Sequence, residues 1–174
     1  MAPTDTSPEP RRLDPRAATT QAALIEAAET LFAEHGIEGV SMRQIGQAIG
    51  SANTNVVAYH FGGKDELVAA VIRDRLPALE ERRATLIAEL SGRGTPSLHD
   101  LLDALYRPFL EQTNREGKHS YVAFLASLFR ANRFAIRSAL SADYPATEDL
   151  LRRIRAHLPD LAEGLLNVRF LILT

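Results

Sequence analysis

The 174 residues hold 20 Lys and Arg against 22 Asp and Glu, with 45% hydrophobic and 24% charged residues, an ordinary globular balance in a chain long enough for one good core or a small domain beside a medium one. A formal net charge of −2 excludes a generally basic nucleic-acid binder, so any positive field must be local. The absence of cysteine excludes disulfide frameworks and thiolate metal sites. With no apolar run of membrane-spanning length and no signal-peptide core, the cytoplasm is the expected compartment.

Residues 1–14, rich in Pro, Thr, Ser and Glu, cannot bury enough apolar surface to order themselves and are expected to be a flexible tail. Arg11, Arg12 and Arg16 at its end suit DNA phosphates or a minor groove, and suit a solvated basic patch equally well. Asp14 followed by Pro15 predicts a helix start, with Thr19 or Thr20 as a later alternative. The helix continues with Ile25, Ala28 and Phe32 on one stripe and closes at Gly36. Ile37, Gly39 and Val40 then lead to Ser41.

The stretch SMRQIGQAIGSANTNVVAYHF, residues 41–61, reads as two short helices joined by a turn. Met42, Ile45 and Ile49 form one apolar stripe. Ser41 and Gln44 have the spacing of a capping box, and Gly50 suits the left-handed stop. Ser51 or Asn53 is expected to cap a second helix ending near Phe61, with Val57 and Phe61 facing the first. Asn53, Thr54, Asn55, Val56, Tyr59 and His60 are then expected to point outward, and none is acidic. Amides pair with adenine edges, small apolar groups meet thymine methyls, and tyrosine and histidine reach phosphates, so this face suits a DNA major groove. The plainer alternative is two solvated core helices, because helix-turn-helix patterns are short.

Gly62 and Gly63 permit a sharp turn into a helix whose first residues are Lys64, Asp65 and Glu66, the acids favoured by the N-terminal dipole. Lys64 is expected near a phosphate if His60 is. The helix keeps its spacing to about Leu90, with Pro77 predicting a kink or a split.

The succession LFAEHG, SMRQIGQAIG, YHF and GGKDEL resembles the N-terminal domain of the TetR family of bacterial transcriptional regulators, over about Thr20 to Arg75. The resemblance implies that Ser41 and Arg43 face DNA, that recognition-helix contacts come from Asn53, Thr54, Asn55 and Val56, and that Tyr59, His60 and Lys64 lie near the backbone. Between Gly50 and His60 the chain carries one residue more than the commonest family spacing, and Ala58 stands where an aromatic is frequent. Which of Asn53, Thr54 and Asn55 reaches base edges is therefore open.

Beyond Arg75 the chain reads as helices throughout. SGRGTP, residues 91–96, is a loop, and Ser97 with Asp100 caps a helix carrying Leu101, Leu105, Phe109 and Thr113 on one face, which Pro108 is expected to bend. A polar break at residues 115–119 precedes an aromatic helix with Tyr121, Phe124, Leu125, Leu128 and Phe129. After a second break at residues 143–145, Arg152, Arg153 and Arg155 form a cationic side of a further helix, and a last helix begins after Asp160. The expected fold is all-α: an N-terminal three-helix helix-turn-helix domain over residues 15–75, then a helical bundle over residues 76–174.

The resemblance implies that this bundle binds a ligand and forms a homodimer. The chain stops at Thr174 inside an apolar run where family members continue, so either the bundle is incomplete or its dimer interface is unusual. Interface candidates are Leu165, Leu166, Val168, Phe170, Leu171 and Leu173. A pocket for a small molecule would be lined by Leu105, Tyr106, Phe109, Tyr121, Phe124 and Phe129, with His99, His119, Asn132 or Arg133 as polar handles. For each of these residues core packing is the stronger alternative. No paired-histidine metal motif, nucleophile elbow, phosphate loop or dinucleotide fingerprint is present, so no enzyme activity, cofactor or metal is expected. The expected function is a sequence-specific DNA-binding regulator, a repressor released by a small-molecule ligand, with double-stranded operator DNA as partner and no membrane association. The rival is a helical ligand-binding or interaction protein with a vestigial DNA-binding unit.

Overall fold

The chain enters its first helix at Pro15, where a missing N–H costs nothing and a fixed φ suits the helical turn. The computed structural model describes residues 15–133, 135–136, 139–140 and 144–159. Helix α1 spans Pro15–His35. Thr19 and Thr20 are not its start, since their hydroxyls donate to the carbonyls of Pro15 and Arg16, one turn back inside the helix, at 2.9 Å. Gly36 closes α1 with φ 75°, its N–H reaching the Phe32 carbonyl at 3.0 Å.

Two short helices follow, α2 (Met42–Ala48) and α3 (Val56–Phe61). Helix α4 (Lys64–Ser91) runs for 28 residues. It is not split at Pro77, whose ring lies on the exposed side. There the carbonyl that loses its partner can turn to water. Helix α5 (Leu98–Glu111) starts at a capping box of Ser97 and Asp100 and passes through Pro108. Helices α6 (Ser120–Arg130) and α7 (Pro145–Ala156) complete the labelled elements. Every labelled element among the described residues is an α-helix, and no helix among them is long and apolar enough to cross a membrane.

Helix α1 packs most extensively on α6. The two helices share a core in which Leu24, Ala28 and Phe32 of α1 meet Tyr121, Phe124 and Leu128 of α6, joined by Ile45, Val57, Leu67, Val71 and Ile72. A second core places Leu86 of α4 with Leu101, Ala104 and Leu105 of α5 and Leu150 and Ile154 of α7.

Polar joints tie these layers. Arg83 of α4 is 1% exposed. Its guanidinium donates to Thr147 Oγ1 at 2.9 Å and to the Leu105 carbonyl at 3.0 Å, and lies 4.7 Å from the centre of the Phe109 ring. Beside it, the Glu80 carboxylate accepts from the N–H groups of Ala146 and Thr147 at 2.8 and 3.2 Å. These bonds satisfy orphan donors in the first turn of α7 from a different helix. The dimer-interface candidates Leu165, Leu166, Val168, Phe170, Leu171 and Leu173, and the tail of residues 1–14, lie outside the described residues.

Candidate nucleic-acid interface

Ser41 holds the start of α2 by the reciprocal pairing its spacing predicts. Its N–H donates to Gln44 Oε1 at 2.8 Å and its Oγ accepts from the Gln44 N–H at 3.3 Å. The other end closes in a Schellman motif. There the Gly50 N–H reaches Gln47 O at 2.9 Å and the Ser51 N–H reaches Gly46 O at 3.0 Å, with Gly50 at φ 71°. Both ends of α2 are thus fixed by residues adjacent in sequence.

The turn that follows is longer than the sequence suggests. Asn53 Oδ1 accepts from the Asn55 N–H at 2.9 Å, and Ser51 Oγ accepts from the Asn53 N–H at 3.2 Å. These are side-chain turns that compete with helix formation, and they delay the start of α3 to Val56. Asn53 builds this turn through its carboxamide oxygen.

Helix α3 sits close on α2. A Cβ added at Gly46 would come within 2.9 Å of Val56 Cγ1, so only glycine lets the two backbones approach this closely. Val56 is 6% exposed. It turns inward with Val57, which corrects the expectation that it faces outward: a branched side chain in the first turn of α3 fills the gap over Gly46. Sequence reasoning misses Gly46, although a glycine inside a short helix is the signal for such close packing.

What remains outward is a polar surface. Ser41, Arg43, Asn53, Thr54 and Asn55 are exposed, and Gln44 and Gln47 of α2 join them. Tyr59 projects furthest, at 80% exposure. His60 is half-buried, its ring edge-on to that of Tyr59 with centroids 5.0 Å apart. From Ser41 to Gly63 there is no carboxylate, so the surface presents amides, hydroxyls and one guanidinium without acidic interruption.

Lys64, expected near a phosphate, also has a role within the fold. Its Nζ donates to the Ile37 carbonyl at 2.8 Å, which ties the first residue of α4 to the connector before α2. One of its three donors thereby joins the two ends of the helix-turn-helix.

Behind the face lies a joint absent from the sequence reading. Glu29 of α1 is 2% exposed and accepts from both Nε and Nη2 of Arg75 of α4 at 2.7 and 2.8 Å, and from Ser120 Oγ of α6. The hydrogen bond to Glu29 is the main cause that raises the Arg75 pKa above its ordinary value, with burial opposing it. A bidentate, charge-assisted pair of this kind fixes orientation as well as distance. Its members are 46 positions apart, beyond any local pattern.

The aromatic residues expected to line a ligand pocket pack against one another. Phe109 and Tyr121 lie 6.2 Å apart between ring centroids, Tyr121 and Phe124 5.9 Å, and Phe32 and Phe124 6.2 Å. Phe109, Tyr121 and Phe124 are buried in the shared core, Tyr106 is half-buried, and Phe129 is 40% exposed. For the three buried rings, mutual packing accounts for the helical spacing, the alternative that the sequence also offers. A cleft between α4 and α5 is lined by Leu86, Leu90, Arg93, Asp100 and Arg107 among others, and by none of the aromatic candidates. Arg133, expected as a polar handle, instead pairs with Glu38 at 2.7 Å and with Asp65. His119 Nδ1 lies 3.0 Å from the Gln112 carbonyl.

Known proteins share the segment that builds this face. Residues 24–71 match the family described as "Bacterial regulatory proteins, tetR family". Over 58 residues the chain is 34% identical to the HTH-type transcriptional repressor AcnR of Corynebacterium efficiens, and equally to that of Corynebacterium glutamicum. Each match covers 33% of this chain and 30% of the relative, so the similarity spans less than a third of the relatives' length. Among solved structures, a TetR family transcriptional regulator, PfmR from Thermus thermophilus, aligns with a TM-score of 0.48 at 20% identity, over 80% of this chain and 74% of that one.

Proposed function

We propose that this chain, whose residues 24–71 match the tetR family of bacterial regulatory proteins, is a sequence-specific DNA-binding transcriptional regulator, a homodimeric repressor released by a small molecule. The observation that carries the reading is the acid-free outward face of Ser41 to Tyr59, held on two helices locked together at Gly46 and Val56.

Thr54 and Asn55, exposed at the head of α3, are the residues assigned to base edges, where an amide can pair bidentately with adenine. Asn53 offers its amide nitrogen more freely, because its oxygen already accepts a bond in the turn. Arg43 and Tyr59 are assigned to phosphates on either side, with Ser41 at the start of α2 adjoining one of them. His60 supports Tyr59 through their edge-on contact. In a homodimer the two α3 helices would enter successive major grooves about 34 to 36 Å apart on a near-palindromic site. A small molecule favouring a dimer of different separation weakens binding by its differential affinity for the two states.

The test is selection from random duplexes with the full-length protein, followed by titration of the selected sequence at two salt concentrations. A repressor of this class enriches a near-palindrome and binds it with a steep inverse dependence on salt. Recovery of no common sequence, or binding equal on scrambled duplexes, would favour a helical interaction protein whose DNA-binding unit is vestigial.

A further inference from the structure

Arg133 lies just beyond α6, far in sequence from the reading unit, yet it reaches both ends of that unit. Its Nε donates to Glu38 Oε1 at 2.7 Å in the connector before α2, and its Nη1 donates to Asp65 in the first turn of α4. The place from which it reaches is itself fixed. Helix α6 ends in a Schellman closure. Asn132 stands at φ 54°, its N–H meets Phe129 O at 2.9 Å, and the Arg133 N–H meets Leu128 O at 3.1 Å. Leu128 is fully buried in the core shared with α1. The backbone of Arg133 is therefore tied through the end of α6 to the core.

The same two ends are joined from within by Lys64, whose Nζ bonds the Ile37 carbonyl. Residues 37–38 and 64–65 are thus bound to each other and to α6. We propose that Arg133 is a positioning residue: by clasping Glu38 and Asp65 together it fixes the angle at which α2 and α3 are presented. The inference goes beyond the proposed function and rests on it only for its DNA-binding readout. Both acids are more than half exposed while Arg133 is 28% exposed, so the clasp is screened by salt and modest in strength. A device of that strength holds an orientation without fixing it irreversibly.

The test uses full-length R133Q and R133K and the double variant E38Q/D65N, read by amide hydrogen exchange without DNA and by affinity for a selected duplex. R133Q is expected to speed exchange across residues 37–62 by roughly three- to tenfold, the range that two partly exposed ion pairs supply, while α5 and α7 keep wild-type protection. Affinity for the duplex falls by a similar factor as the competent orientation is depopulated. R133K, whose single ammonium cannot span both acids, falls between. E38Q/D65N reproduces the effect and adds nothing to R133Q, because both act on one interaction. It also serves as the test should R133Q fail to fold.

Unchanged exchange in residues 37–62, or equal acceleration in α5 and α7, overturns the proposal. Accelerated exchange confined to residues 37–62 in a protein whose wild type selects no duplex upholds the clasp and defeats the DNA-binding reading instead.

Discussion

Asn53 and Asn55 are the same residue type two positions apart, and the structure gives them different work. Asn53 spends its oxygen on the backbone of the turn, whereas Asn55 stands exposed at the head of α3. Asn55→Ala should therefore change base preference, costing about 1–3 kcal/mol at one operator position and little elsewhere, as titration against single-base operator variants would record; equal loss on every variant would remove the assigned role. Arg43→Ala should instead weaken all duplexes alike and lower the salt slope by about one. Gly46→Ala meets the stiff, branched Val56, so overpacking of about 1–3 kcal/mol should exceed the helix-propensity gain of up to about 1 kcal/mol. Urea denaturation would show the loss, and adding Val56→Ala should recover part of it by reopening the gap.

At the level of elements, local chemistry is readable in the sequence and distant chemistry is not. The ends of α2 can be read because Ser41, Gln44 and Gly50 act on groups within one turn of themselves. Ser41→Ala should cost about 1 kcal/mol for the lost cap, seen as a lower denaturation midpoint. The start of α3 escapes a sequence reading because Ser51 to Asn55 satisfy helix caps and side-chain turns equally well, and only their mutual bonds decide. Val56 escapes it for the same reason: the delayed start rotates it inward over Gly46. Pro77 signals a kink or split in α4, yet nothing in sequence says which side of a helix faces water before its partners are known. The Glu29–Arg75 joint is illegible because two ordinary charges acquire meaning only when α1, α4 and α6 enclose them. Glu29→Ala would leave the half-buried Arg75 guanidinium without its bidentate partner, at a cost of about 1–3 kcal/mol. Thermal unfolding should show a loss larger than for the exposed Arg82–Glu111 pair, whose double-mutant coupling is expected to be small.

Across the whole molecule, the net charge of −2 conceals an uneven distribution, with no acid between Ser41 and Gly63. Several surface carboxylates sit below their ordinary pKa: Asp100 through the Ser97 hydroxyl, Glu111 through Arg82, and Glu116 through Lys118. A lowered folded-state pKa adds stability above the unfolded value, and that contribution disappears as pH falls through the folded value. The melting temperature should therefore hold from neutrality to the upper edge of the ordinary carboxylate range and decline below it, and Arg82→Gln should make that acid decline shallower, as calorimetry over a pH series would show. The reading unit, for its part, does not own the core beneath it: Phe32 of α1 stacks on Phe124 of α6, and α4 runs through Arg75 without a break. Exchange of DNA-reading heads between relatives is consequently a graft across a packed seam. A chimaera joined at residue 75 would inherit a foreign α1 against a native α6, and a working transplant must carry the α6 surface that its new helix was shaped to meet.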